Sequence, residues 1–199
     1  MNAADASPDA SWVSVETPLD IDAMRDFCGD LERLYRINPY LEIQTWQPIA
    51  AGGFRVAWRN LSNNQSAALE LRLESESQDA FLIRYSQGIK GHTRFTLQAR
   101  DSGSLLVIRD DYSGLPQAER ASRVAEADRS LPAWGWALHG YLRNQVRWGG
   151  IPLWRWYMRR IWLPLRPGAR RIMNLIVWAT IAEFLLFLFV MLIYWIEFT

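Results

Sequence analysis

Residues 67–111 read AALELRLESESQDAFLIRYSQGIKGHTRFTLQARDSGSLLVIRDD. Ala67, Leu69, Leu71 and Leu73 alternate with Ala68, Glu70, Arg72 and Glu74, the period-two pattern of a strand with one buried and one wet face. Phe81, Ile83 and Tyr85 continue the pattern, and Thr93, Phe95, Leu97 and Ala99 follow after Gly88 and Gly91. Asp101-Ser102-Gly103 then turns the chain into Leu105–Ile108. Strands joined by connections this short pair antiparallel, so the stretch predicts a meander.

Upstream, Trp12–Glu16 alternates as a short strand that stops at Pro18. Leu41, Ile43 and Thr45 form another before Pro48, and after the Gly52-Gly53 turn Phe54, Val56 and Trp58 face away from Arg55 and Arg59. Between these strands Asp20 is a helix cap, and Ile21, Met24, Phe27, Cys28 and Leu31 fall on one helical face, interrupted at Gly29. Leu34, Tyr35 and Ile37 occupy a second short turn that ends at Asn38-Pro39. Downstream, the Arg, Glu and Ala-rich stretch Gln117–Arg129 predicts a helix, and Pro132–Arg147 a longer one. Six or seven strands present one apolar row each, and that face must be covered. The long helix, with Trp134, Leu138, Tyr141 or Leu142, and Gln145 or Val146 at helical spacing, is the expected cover. The fold class is α+β, an antiparallel curved sheet wrapped on a long helix.

The segments SWVSVETPLDIDAMRDFCGDLERLYRINPYLEI, GHTRFTLQARDSGSLLVIRDDYSG and LPAWGWALHGYLRNQV resemble, in their order of elements, the START-like or SRPBCC helix-grip superfamily of polyketide cyclases and lipid-transfer domains. The resemblance spans residues 11–148 and rests on topology, with no signature motif. It implies a cavity between sheet and long helix that holds an apolar ligand. Mapped onto this chain, it places Trp134, Leu138, Tyr141 and Leu142 on the helix side. Trp58, Leu71, Ile83 and Phe95 fall on the sheet side, together with Phe54, Val56, Leu69, Phe81 and Leu97.

The chain has 199 residues, half of them apolar and 22% charged, which excludes general disorder. Charge is split along it. Residues 1–142 carry 14 basic and 19 acidic side chains, whereas residues 143–182 carry eight arginines and no acid. From Leu175 to Ile196 the only polar interruptions besides Trp178 and Tyr194 are Thr180 and Glu183. As a helix those residues span about 33 Å, slightly more than a hydrocarbon core of about 30 Å. With the arginines before it and only Glu197 after it, the expected topology is a single pass through the cytoplasmic membrane, with the head inside and the C-terminus outside. No apolar stretch opens the chain, so no secretory signal is expected. The expected organisation is a disordered start over 1–10, a head over 11–148, a basic aromatic segment over 149–171 and a transmembrane helix over 172–199. Cys28 is the single cysteine and excludes an intramolecular disulfide.

Chemistry-bearing motifs are sparse. There is no dinucleotide or phosphate-loop fingerprint, so no cofactor is expected. His92 and His139 lie on different elements, and no metal site is expected. Asp110 and Asp111 are neighbours on a strand and point to opposite faces, so the Asp110-Asp111-Tyr112-Ser113 run reads as a strand end and no catalytic residue is assigned. Trp154, Trp156 and Trp162 among Arg155, Arg159 and Arg160 read as a membrane-interface segment, because rings and arginine stems favour the headgroup region. A nucleic-acid role is not supported, since the basic stretch adjoins the span and carries no reader motif. Glu183 lies near the middle of the span, where a carboxylate needs protonation or a polar neighbour, and with Thr180 it marks a face for an integral-membrane partner.

The expected function is binding of a hydrophobic ligand (lipid, isoprenoid or quinone-like) by a head tethered to the bilayer. Two other readings stay open: an accessory or assembly subunit of a membrane complex with a filled interior, and a cyclase-like or hydrolytic enzyme acting on an apolar substrate.

Overall fold

The computed structural model describes residues 10–114 and 128–198. Seven strands form one antiparallel sheet: β1 (Ala10–Thr17), β2 (Leu41–Ile49), β3 (Gly53–Asn60), β4 (Gln65–Ser77), β5 (Ala80–Tyr85), β6 (His92–Arg100) and β7 (Gly103–Asp111). Strands β2 to β7 run as a meander, and β1 joins at the far side of β7, giving the order β1-β7-β6-β5-β4-β3-β2. β1 starts at Ala10, so the expectation of a disordered start is left with residues 1–9, which lie outside the described residues. The same holds for residues 117–127 of the helix expected over Gln117–Arg129; Asp128 and Arg129 are not helical.

Two short helices connect β1 to β2. The carboxylate of Asp20 accepts from the Ala23 amide at 2.8 Å to start α1 (Ile21–Gly29). Asp30 does the same for Arg33 at 3.1 Å to start α2 (Leu31–Arg36). Each cap satisfies an amide that the first helical turn leaves unpaired. Met24, Phe27, Cys28, Leu31, Leu34 and Tyr35 turn inward from this pair. Burial pushes the Cys28 thiol up to about 12, which leaves it an inert apolar filler.

The long helix α3 (Leu131–Trp148) crosses the concave face of the sheet. Leu131, Trp134, Gly135, Leu138, Tyr141 and Leu142 are its buried residues, the stripe that the spacing predicts. Gly135 sets how closely helix and sheet approach: a Cβ there would stand 2.5 Å from Val13 Cγ2. The row beneath it is set by register, with Val13 opposite Ile108, Ile108 opposite Phe95, and Phe95 opposite Phe81. Alternation overreaches on β4, where Leu69 and Leu71 are buried but Leu73, beyond the span of the helix cover, is 43% exposed.

The chain after α3 does not leave the head at once. Helix α4 (Pro152–Tyr157) continues into a single π-helical turn, Met158–Trp162. Met158 and Leu163 are buried, and Trp154, Tyr157 and Trp162 pack against the same core, Trp162 with its ring 6.1 Å from that of Tyr141. The compact unit therefore runs to Pro164. A second unit, Leu165–Thr199, contains α5 (Pro167–Phe198), one helix long and apolar enough to cross a membrane; Pro167 and Arg170 in its first turn are buried, and its side chains are exposed from Asn174 to Glu197.

Candidate functional site

The row next to Phe95 ends differently. Asp110 on β7 lies opposite Thr93 on β6, and Thr93 opposite Ile83 on β5, so Asp110 points into the concave side among apolar neighbours. Its carboxylate is 1% exposed. Thr93 Oγ1 donates to one oxygen at 2.5 Å and Lys90 Nζ to the other at 3.1 Å. Lys90 comes from the glycine-flanked β5–β6 connection and reaches a second carboxylate, Asp128 Oδ2, at 3.0 Å. Asp128 Oδ1 in turn accepts from Asn60 Nδ2 and from the Ser130 amide, both at 2.9 Å. This fastens the entry of α3 to the end of β3.

A hydrogen-bonded chain runs inward from the same cluster. The Thr93 hydroxyl proton is committed to Asp110, so Tyr85 donates to Thr93 Oγ1 at 2.7 Å and Tyr35 donates to Tyr85 at 2.6 Å. Tyr35 stacks on Trp58 with centroids 5.8 Å apart and tilts against Trp134 at 5.2 Å. The Trp134 indole is fixed by donation to the Leu34 carbonyl at 3.0 Å.

Of these groups Lys90, Asp128, Asn60, Tyr35, Tyr85, Trp58 and Trp134 line a solvent-open cavity of about 510 Å³, and Asp110 and Thr93 support it from beneath. Its walls are Trp58, Trp134, Leu41, Leu69 and Ile89 with the phenol rings of Tyr35 and Tyr85, and its polar positions include Asn38, Asn60, Lys90 and Asp128. The volume lies within the range of small-molecule sites.

Electrostatics hold the protons of this end in place. Burial works against the Lys90 ammonium, but the two carboxylates outweigh it and keep its pKa well above the ordinary value. Burial raises Asp110, restrained by Lys90. At Asp128 the same burial is overcome by Lys90 and by the Asn60 and Ser130 donors, which hold the carboxyl below its usual range. The phenols of Tyr35 and Tyr85 are raised by desolvation. Among the described residues no cluster of three or more metal-ligating side chains converges.

Of the residues that the sequence singles out, Trp58 and Trp134 stand on the cavity wall. Leu71, Ile83, Phe95, Leu138 and Leu142 have no exposure and are packed between sheet and helix. Tyr141 is buried near the other end of α3, where Arg33 Nε donates to its hydroxyl at 3.1 Å. Trp154 and Trp162 are partly buried against the head, whereas Trp156, Arg155, Arg159 and Arg160 are exposed. Thr180 and Glu183 are exposed on α5, three residues apart and hence on one face. His92, on the outward face, is half-buried, 3.8 Å from Asp111, and His139 Nδ1 lies 2.7 Å from the Glu16 carbonyl.

The Asp110-Asp111 pair divides as strand geometry requires. Asp111 makes the strand-end turn, accepting from the Ser113 amide at 2.7 Å, but Asp110 belongs to the buried cluster and not to the turn. Lys90, Asp128, Tyr35 and Asn60 were not legible as site residues. One signal was present: the chain holds 21 arginines and a single lysine, and that lysine is Lys90. A compact ammonium on a flexible stem can be shared by two carboxylates from different segments.

No protein-family model matches the chain, and no curated protein matches it. Among solved structures, it is similar to the Zhui aromatase/cyclase from Streptomyces sp. R1128, with 18% identity over 71% of this chain and 97% of that one, at a TM-score of 0.54. A START superfamily protein from Mycobacterium smegmatis is similar at 17% identity over 67% of this chain and 94% of that one, with a TM-score of 0.48. A protein from Rhodobacter sphaeroides is similar at 13% identity over 69% and 94%, with a TM-score of 0.49. The aromatase/cyclase match is one of fold: the head has a helix-grip fold, distant in sequence from that protein.

Proposed function

We propose that this chain is a membrane-tethered binding module whose cavity receives a small molecule with an apolar body, of lipid, isoprenoid or quinone-like type. The observation that carries the reading is the cavity itself: about 510 Å³, with Trp58, Trp134, Leu41 and Leu69 among its walls and Lys90, Asp128 and Asn60 a hydrogen-bonded cluster within its polar lining. Each CH₂ that enters such walls from water contributes about 0.8 kcal/mol, and the polar end fixes orientation. An enzymatic reading is less well supported. Lys90 and Asp128 are locked as an ion pair, and Asp110, the carboxylate whose pKa is raised, lies beneath Lys90 and is 1% exposed.

Ala67 also lines the cavity, so Ala67→Trp fills it. Mass spectrometry of small molecules extracted from the full chain, purified in nanodiscs, is expected to reveal a species that the Ala67→Trp protein loses at least tenfold. The same species and amounts from both proteins would sink the reading.

In this proposal α5 spans the cytoplasmic membrane and the head lies on the arginine-rich, cytoplasmic side. Leu153 and Trp156, 72% and 54% exposed, project beside the exposed Arg155, Arg159 and Arg160, a combination suited to an anionic bilayer surface. The Thr180 and Glu183 face of α5 docks against an integral-membrane partner. Glu183→Leu is expected to reduce recovery of co-purifying membrane proteins severalfold, and recovery equal to that of the unaltered chain would exclude the docking face.

A further inference from the structure

The ionic groups at the polar end of the cavity do not balance, and this decides which ligand heads it admits. Building on the cavity-binding reading, we propose that the site selects uncharged ligands, bearing a hydroxyl or carbonyl on an apolar body, and rejects carboxylates and phosphates on the same skeleton. Among the described residues Lys90 is the one cation of the wall, and its ammonium is held at 3.1 Å by Asp110 and at 3.0 Å by Asp128. The ammonium also lies 5.2 Å from the centre of the Tyr85 ring, so its positive charge is spent on three partners within the protein. Two carboxylates around one ammonium leave no net positive charge to receive an anion.

Asp128 itself lines the cavity, so an incoming carboxylate meets a like charge at short range. Uncharged donors are at hand instead. Asn38 gives one amide N–H to Ser130 Oγ at 2.8 Å and Asn60 gives one to Asp128 at 2.9 Å. Each keeps a second N–H for a neutral oxygen. A ligand hydroxyl has the further option of donating to Asp128, which an ionised head lacks.

Equilibrium dialysis of the full chain in nanodiscs, with empty nanodiscs subtracting partition into lipid, provides the test. The probes are 2-naphthol and 2-naphthoate at pH 7.5, one ring system with an uncharged and an anionic head. The naphthol is expected to bind at least tenfold more tightly, and Asp128→Asn to shrink that ratio below threefold by admitting the naphthoate. Equal or tighter naphthoate binding by the unaltered chain would overturn the selectivity while leaving the cavity reading in place. A ratio unchanged in a folded Asp128→Asn protein would remove the ion cluster as its cause. Retention of neither probe above empty nanodiscs would count against the cavity as a small-molecule site, and the selectivity would fall with it. The comparison on the unaltered chain decides even where the variant does not fold.

Discussion

Lys90→Met is expected to destabilise the head by about 3–5 kcal/mol at pH 7.5, the cost of leaving a buried carboxylate without its cation. The geometry makes Asp110 the group that suffers. It is 1% exposed, and its remaining partner among the described residues is the Thr93 hydroxyl. For a chain of this length the loss corresponds to roughly 2–4 °C in Tm per kcal/mol.

The deficit depends on pH with a definite sign. Without the ammonium the Asp110 pKa, already raised by burial, climbs further. A carboxyl with a raised folded-state pKa holds its proton more firmly folded than unfolded, so the variant regains stability as pH falls from 7.5 toward 5. The unaltered protein runs the other way through Asp128. Its depressed pKa contributes stability that is present above about pH 4 and is lost as pH falls below it. Thermal melts of the full chain in nanodiscs check the first at pH 7.5 and pH 5, and the second at pH 5 and pH 3. A Lys90→Met deficit that is equal at the two values would contradict the assignment. Lys90→Met/Asp110→Asn should recover part of the loss, because the orphaned charge is gone.

Phe95→Ala is expected to cost a similar amount, about 3–5 kcal/mol, by a different route. Phe95 has no exposure, stacks on Phe81 with centroids 4.7 Å apart and interplanar angle 5°, and meets Trp134 edge-on at 6.0 Å. Truncation removes that ring from the centre of the core and leaves an apolar void enclosed by sheet and helix. Such voids stay dry and admit benzene. Benzene should therefore raise the Tm of Phe95→Ala by more than it raises that of the parent, whose open cavity is common to both proteins. A variant whose Tm falls but does not respond to benzene would indicate that the core had collapsed into the space.

The architecture was legible because its signals are local and periodic. Phe95 and Leu97, or Leu138 and Leu142, declare their faces within a few residues. The polar end of the cavity was not, because its members lie on four separate segments. Asn60 closes a strand, Lys90 sits in a connection between glycines, Asp110 is masked by Asp111, and Asp128 falls in a stretch whose composition favours helix. Their meeting is a product of register, which no window of sequence contains. The segment Pro152–Leu163 was legible only in part, for a related reason. Rings interleaved with arginines have the texture of a bilayer surface, yet Trp154, Met158 and Leu163 turn to the head. Their spacing of four and then five residues stays on one stripe only because the turn over Met158–Trp162 is π-helical, with one residue more than an α-helical turn.

The two borders of the sheet have a consequence for proteins crowded side by side. Among the described residues β1 and β2 are the border strands and no further strand pairs with their outer margins, and a free margin is an invitation for a neighbour's strand to zip on. On β1 the imidazole of His139 already occupies the Glu16 carbonyl. On β2, Pro48 has no amide proton to offer, and the pairing slips between Ile43 and Thr45. Heads held close together, as the tethered arrangement proposed above would hold them, can therefore collide repeatedly without being drawn into a continuous intermolecular sheet.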